Sequence, residues 1–124
     1  MTRALTGVVA VVMLAGGAAH FLQADQFVPL VPSFLPAGPV IAVTGVLQLA
    51  IGFAALWPGT RRLAGLAFAA LCLAYLPLHL WDFVRPDPMF APVGAALVRV
   101  VVQLLFIGAG WQLARRTALP ARSS

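Results

Sequence analysis

The sequence predicts an all-α integral membrane protein, a four-helix transmembrane bundle with both termini in the cytoplasm. Its 124 residues are 62% hydrophobic and only 9% charged, and their mean hydropathy is +1.00. Because a soluble domain carries roughly 25% charged residues, this chain has too few polar side chains to cover a water-facing surface. Two further observations support the prediction: the chain contains four long apolar runs, and its arginines are unevenly distributed.

Each of the four apolar runs is long enough to cross a bilayer as a helix, which takes about 20 residues. We predict helices over residues 4–22, 39–57, 63–83 and 93–114, with a C-terminal tail at 115–124, in one transmembrane domain over 1–124. The first run also resembles a signal peptide, since it follows Arg3 and contains "AGGAA". We expect a retained helix, because cleavage would leave three spans and unbalance the topology.

The arginines predict how the bundle is oriented. Six of them lie at the N-terminus, in the connection between the second and third runs, and in the tail: Arg3, Arg61, Arg62, Arg115, Arg116 and Arg122. Only Arg85 lies in the other two connections, beside Asp82 and Asp87, with Asp25 in the first of them. Because arginine accumulates in cytoplasmic loops, both termini and the "PGTRR" turn are predicted to be cytoplasmic.

Charge pattern and cysteine count argue against several function classes. The net charge of +5 comes mostly from arginines at the ends of apolar runs, without a basic stripe interleaved with aromatic residues, so we expect no nucleic-acid binding. The single cysteine, Cys72, rules out an internal disulfide, a CxxC pair and a Cys-based zinc site. Two histidines, His20 and His79, would suit a b-type haem, but hydrogen bonding is the commoner role and we expect no metal.

The first outer connection, residues 24–39, contains four prolines and therefore cannot form one continuous helix. Its remaining side chains include the apolar Phe27, Leu30 and Val31. Two interpretations stay open: the segment is an apolar loop in the outer interface, or it folds over the mouth of the bundle as a lid.

The two halves of the chain share a weak repeat. In each half a helix ends near a histidine, a loop with aspartate and proline follows, and the next helix carries a glutamine before an arginine pair. The matching residues are His20 and His79, then Gln48 and Gln103. Two hairpins of equal orientation would follow from a duplication, but the similarity beyond these positions is poor.

Helical spacing brings the polar residues of the four runs to one end of the bundle. The candidate pocket residues are His20, Thr44, Gln48, His79, Asp82, Arg99 and Gln103. In the predicted orientation they lie between the membrane midplane and the outer surface, whereas the inner half contains mainly alanine, leucine, valine and glycine. The sequence therefore predicts a polar pocket in the outer half.

Arg99 is the most informative of these candidates, because it lies inside an apolar run. It is about six residues from the outer end of its helix, or roughly 9 Å deep. One alternative is that its side chain extends outward to the lipid headgroups. We instead predict that it faces the pocket with Gln103, and that Asp82, as the nearby carboxylate, is its counter-ion.

Several segments together resemble the DoxX family of small bacterial membrane proteins. They read "AGGAAHFLQADQFVPLVPSFLP", "VTGVLQLAIGFAALWPGTRRLAG", "YLPLHLW" and "LVRVVVQLLFIGAGW", and the resemblance covers about residues 13 to 112. It implies four transmembrane helices and an association with quinone-linked or thiol metabolism. By this resemblance His20, Arg99 and Gln103 match the polar positions of the family. Gln48 and His79 depart from it, since the family usually has glutamate and often asparagine there.

With this resemblance, the polar pocket implies an auxiliary subunit of a quinone-linked or thiol- or sulfur-related redox system and not a stand-alone enzyme. The pocket would hold a quinone head group or a small anion, since arginine donates to carbonyl or anionic oxygens and histidine exchanges protons. No other cofactor is evident. We expect contact with the lipid bilayer, a membrane oxidoreductase or a second copy as partner, and a multi-pass location in the bacterial inner membrane.

A non-catalytic membrane scaffold is the alternative. A small-molecule transporter is less favoured, because small exporters depend on a membrane-embedded carboxylate. This chain has no glutamate, and its three aspartates lie at the outer ends of the runs.

Overall fold

A computed structural model describes residues 1–90 and 93–117, and this part of the chain is helical without strands. Its elements are α1 (Thr2–Leu22), α2 (Ala24–Phe27), a 3-10 turn (Val28–Leu30), α3 (Ala37–Leu56), α4 (Arg61–Trp81) and α5 (Val93–Thr117). Arg122 and the rest of the predicted tail from residue 118 onward lie outside the described residues.

The predicted four-helix membrane fold is confirmed. Helices α1, α3, α4 and α5 are each long and apolar enough to cross a membrane. Large apolar side chains point away from the bundle along all four, for example Val11, Val43, Leu63 and Leu105, which are about two-thirds exposed. Because such side chains are stable in lipid and not in water, the chain has the character of a multi-pass protein in contact with the bilayer.

The helix ends differ from prediction for local reasons. Helix α3 begins at Ala37, two residues before Pro39. Pro39 then lies in the first turn, where backbone N–H groups have no partner within the helix, so the N–H that proline lacks is not needed there. Helix α4 ends at Trp81 and not at residue 83, and its C-cap, Asp82, bonds to the following loop. Helix α5 begins at Val93 as predicted but continues to Thr117.

The bundle consists of two hairpins, since α1 packs mainly on α3, and α4 mainly on α5. Helices α4 and α5 approach closely at two glycines. A Cβ atom on Gly65 would lie 2.8 Å from the carbonyl oxygen of Gly110, and one on Gly110 would lie 2.7 Å from that of Gly65. Small residues allow such backbone contact, which drives helix association in membranes where burial from water cannot.

The half of the bundle next to the α3–α4 turn is closed by a packed apolar core. Val9, Phe68 and Leu113 are fully buried there, and the ring of Phe68 packs against Phe106 at 5.7 Å. The turn itself supplies donors to the end of α3, because Thr60 Oγ1 donates to the carbonyl of Ala54 at 2.7 Å. We call this half the inner half and the other end of the bundle the outer half. Because the inner half is packed, a cavity can lie only in the outer half.

The two outer connections bind to each other across the bundle. Arg85, after α4, donates from Nη1 to the carbonyl oxygen of Pro29 at 3.0 Å. Its guanidinium also lies 4.2 Å from the centroid of the Trp81 ring. The segment of residues 27–31, which carries Pro29, is thereby held over the outer end of the bundle; we call it the cover segment.

Candidate functional site

A cavity of about 270 Å³ lies in the outer half, bounded by all four long helices and the cover segment. Six of the seven predicted pocket residues line it: His20, Thr44, Gln48, His79, Arg99 and Gln103. The apolar part of its wall includes Met13, Phe27, Ile41, Leu78 and Phe106. The periodicity of the sequence therefore places these polar residues around a common space.

The two histidines occupy equivalent positions on α1 and α4. His20 Nδ1 lies 2.7 Å from the carbonyl oxygen of Gly16, and His79 Nδ1 lies 2.9 Å from that of Tyr75. A carbonyl only accepts, so each Nδ1 carries the proton, and each Nε2 points away from its own helix backbone. His20 is also stacked on Phe27 of the cover segment, with ring centroids 4.0 Å apart.

Gln48 connects the two hairpins at the side of the cavity. It is buried, and its Nε2 donates to the hydroxyl of Tyr75 at 3.0 Å. Its Oε1 lies against α1, where a Cβ on Gly16 would be only 2.6 Å from it. Because the Tyr75 oxygen accepts from Gln48, the Tyr75 O–H remains a donor for another group.

Gln103 and Thr44 are bonded to helix backbone. Gln103 is buried and donates from Nε2 to the carbonyl oxygen of Cys72 at 2.7 Å, which joins α5 to α4. Thr44 Oγ1 donates to the carbonyl oxygen of Val40 at 2.8 Å, within its own helix. Both side chains therefore present mainly acceptor oxygens to the cavity.

Arg99 has an unsatisfied donor. Its Nη1 is buried and has no hydrogen-bond partner among the described residues. Its guanidinium carbon lies 4.3 Å from the centroid of the Phe90 ring, which is a cation–π contact. An aromatic face does not replace a hydrogen-bond acceptor, so this side of the cavity contains a positive charge with an unused N–H group.

Asp82 is the one predicted pocket residue that does not line the cavity. It is buried, and its two carboxylate oxygens accept the backbone N–H groups of Met89 at 2.6 Å and Phe90 at 2.9 Å. No ion pair between Asp82 and Arg99 is present in the described part of the chain. Asp82 instead folds the second outer connection and thereby positions the Phe90 ring over Arg99.

The cavity can bind a ligand through donors on one side and acceptors around it. Among the described residues that line it, Arg99 carries the permanent charge, and none is an aspartate or a glutamate. Among residues 1–90 and 93–117, no three histidine, cysteine or acidic side chains come together in a way that would hold a metal ion. The arrangement suits an oxygen-bearing head group on an apolar molecule.

The sequence interpretation missed Phe90, named Phe27 only as part of a possible lid, and gave Tyr75 no role. Phe27 and Phe90 lie in irregular connections, where helical periodicity gives no signal, although their aromatic character in a proline-rich loop is unusual. Tyr75 lies one turn before His79 on the same face of α4, and that spacing could have identified it.

Comparison with protein families overturns the resemblance to DoxX. The family model that matches, over residues 8–114, has the description "Domain of unknown function (DUF8561)", and no DoxX model matches. The resemblance was wrong because outer prolines, arginines at inner turns and small helix residues follow from membrane topology and recur in unrelated bundles. The redox and thiol associations taken from it lose that support.

No curated protein and no solved structure matches the chain. Because the family model covers most of its length, the chain belongs to the family of the domain of unknown function DUF8561.

Proposed function

We propose that this protein is an auxiliary, ligand-binding membrane subunit. It holds the oxygen-bearing head group of a small lipophilic molecule, such as a quinone or an organic anion, in its outer cavity. The bound molecule is then available to a partner, for which a membrane oxidoreductase is the proposed class and a second copy of the chain the alternative. No catalytic step is assigned to the protein itself.

The observation that carries this proposal is the state of Arg99. An arginine within an apolar helix is costly in a membrane, by about 2.5–3.5 kcal/mol at the helix centre. A side chain with a purely structural role would be expected to have its donors satisfied within the protein. Nη1 of Arg99 is buried without a partner beside a cavity, so an acceptor on a ligand would complete its bonding.

The size and lining of the cavity also support a ligand. Its volume of about 270 Å³ exceeds the roughly 150 Å³ of an engineered protein cavity that binds benzene. A single ring or a short chain with a polar head would therefore fit. The wall is mostly aliphatic and aromatic with a few polar groups, which is typical of small-molecule sites.

The proposal includes an orientation and a location. With both termini in the cytoplasm, as the arginines predict, the cavity lies on the outer side of the membrane. We propose the bacterial inner membrane as the location. Labelling of cysteines introduced one at a time at Thr2 and at Asp87, with Cys72 changed to alanine, tests the orientation in intact cells, since only the outer residue should react with an impermeant reagent.

Ligand binding is tested with the full chain in phosphatidylcholine nanodiscs. Native mass spectrometry measures the binding of decylubiquinone and of dodecanoate. We expect at least one of them to bind saturably. Leu78→Trp, which fills the cavity, should raise the Kd of the compound that binds by about tenfold or more. Leu80→Trp is the matched control, because Leu80 lies two residues further on α4 and is half exposed to lipid. If neither compound binds, or if both variants weaken binding equally, the proposed function is wrong.

The partner is tested separately, by native mass spectrometry of complexes released from the protein's own membranes in mild detergent. A co-purifying oxidoreductase would support the proposed class of partner. A monomer or homodimer that carries only lipid would contradict it.

A further inference from the structure

We propose that the natural ligand is an amphiphile with a single negatively charged oxygen head, such as a carboxylate or a phosphate ester, and that Arg99 is the residue that binds this head. This inference rests on the proposed function and makes it more specific, because a neutral quinone head and an anionic head both satisfy the general proposal.

Charge balance favours the anion. Arg99 is the permanently charged residue of the cavity wall, and no carboxylate shares that wall. Asp82 attracts Arg99 through space, but its oxygens are bonded to the backbone N–H groups of Met89 and Phe90, and it forms no ion pair with Arg99 in the described part of the chain. The guanidinium is only partly buried, but its enclosed Nη1 meets no acceptor among the described residues, and a neutral ligand would leave the positive charge of this wall without an ion-pair partner. An anionic head neutralises it in the same step that supplies the missing acceptor.

The available donors also match an anion with two or more oxygens. Arg99 Nη1 has no partner among the described residues, and the Tyr75 hydroxyl accepts from Gln48 and so has a proton that it can donate to Thr44 beside it or to a ligand. Arginine binds carboxylate and phosphate oxygens through charge-assisted hydrogen bonds, which are about twice as strong as neutral ones. Both groups line the same cavity, on α5 and α4 respectively.

The cavity adjoins a lipid-facing groove beside α3, which could take the apolar part of the ligand. A shallow groove lined by Pro39, Val40, Val43 and Thr44 shares Val40 and Thr44 with the cavity. Val43 is 66% exposed on the lipid-facing side of this helix. We therefore place the apolar chain of the ligand along this side of α3, next to the hydrocarbon region, which suits an amphiphile better than a free anion.

The test compares dodecanoate with its methyl ester at equal mole fraction in phosphatidylcholine nanodiscs, by native mass spectrometry. The two probes have the same chain and differ at the head, which is negatively charged in dodecanoate and neutral and one methyl group larger in the ester. We expect dodecanoate to bind at least about tenfold more tightly than the ester, as loss of a charge-assisted hydrogen bond implies. In Arg99→Gln that preference should disappear, and in Arg99→Lys, which keeps the charge, it should persist.

A second arm identifies the source of the anionic head. Nanodiscs that contain phosphatidylglycerol in phosphatidylcholine present the same charge on a membrane lipid. Bound phosphatidylglycerol that is lost in Arg99→Gln would support a lipid headgroup as the source, and bound dodecanoate alone would support a free single-chain amphiphile.

The possible failures are distinct. If the ester or decylubiquinone binds as tightly as dodecanoate and phosphatidylglycerol does not bind, the anionic head is wrong while the proposed function stands. If none of the four compounds binds, both proposals fail. Should Arg99→Gln fail to fold, the ratio of acid to ester binding in the unmodified chain still decides the question.

Discussion

The guanidinium of Arg99 lies over the ring of Phe90, 4.3 Å from its centroid, and Phe90 is held there through its backbone by Asp82. An aspartate in the second outer connection thus acts on the arginine through an intervening aromatic ring and not by direct ionic contact. This arrangement keeps the charge of Arg99 in place and leaves the N–H groups of Nη1 without an acceptor among the described residues.

Phe90→Leu should destabilise the outer half, because it removes the cation–π contact but keeps an apolar side chain. We expect the free energy of unfolding, measured by SDS titration of the solubilised protein, to fall by about 0.5–2 kcal/mol. Met89→Leu is the matched control, since Met89 and Phe90 are both 38% exposed and only Phe90 lies under Arg99. Equal losses in the two variants would contradict this role of the ring.

A double-mutant cycle between Asp82→Asn and Arg99→Gln distinguishes an ion pair from the indirect connection seen here. We expect Asp82→Asn alone to be destabilising, because it weakens charge-assisted bonds worth roughly 1.5–3 kcal/mol to two backbone N–H groups. The coupling energy between the two changes should stay below about 1 kcal/mol, since the two residues share Phe90 and their charges attract each other without forming an ion pair. A coupling of about 2 kcal/mol or more would show that the two side chains pair directly.

The contact between α4 and α5 depends on the absence of a side chain at Gly110. In Gly110→Ala the new methyl group would meet the backbone of Gly65, so the helices must separate. We expect a loss of about 1–3 kcal/mol in the free energy of unfolding. Gly108→Ala, in the same helix, has open space around its Cβ position and should be neutral or slightly stabilising. A neutral Gly110→Ala would contradict the packing described for this hairpin.

The cover segment should loosen when Arg85 is changed to glutamine, because the bond from Arg85 to Pro29 is lost. Cys72, the single cysteine of the chain, is buried and lines the cavity, so its alkylation by N-ethylmaleimide reports on access. We expect the rate of Cys72 alkylation to be about 2- to 10-fold higher in Arg85→Gln than in the unmodified chain, as the loss of one hydrogen bond implies. Arg62→Gln, at the inner turn, should leave the rate unchanged. An unchanged rate in Arg85→Gln would mean that this bond does not hold the segment.

The fold could be predicted because it depends on hydropathy, length and charge asymmetry, which a sequence states directly. Six pocket residues could be predicted as well, because a helix repeats every 3.6 residues and so places His20 or Gln103 on a definite face. The hydrogen-bond partners of Asp82 could not be predicted. Asp82 lies at the end of α4, where the backbone N–H groups of the following loop compete for a carboxylate. Sequence spacing carries no information on that competition.

The contacts of Phe27 and Phe90 escaped prediction for a related reason. Both lie in proline-containing connections whose path is set by contacts with the finished bundle, such as the stacking of Phe27 on His20. The family assignment failed differently: membrane topology alone produces many of the features that resembled DoxX, so their order along the chain was less specific than it looked.

Protection of Cys72 by a ligand tests the outer cavity as a binding site most directly. The measurement is the rate of Cys72 alkylation by N-ethylmaleimide in phosphatidylcholine nanodiscs, with and without saturating dodecanoate. We expect dodecanoate to slow the reaction by about tenfold in the unmodified chain, and to have little effect in Arg99→Gln, where the head group loses its charged partner. An alkylation rate that dodecanoate leaves unchanged in the unmodified chain would contradict binding in this cavity.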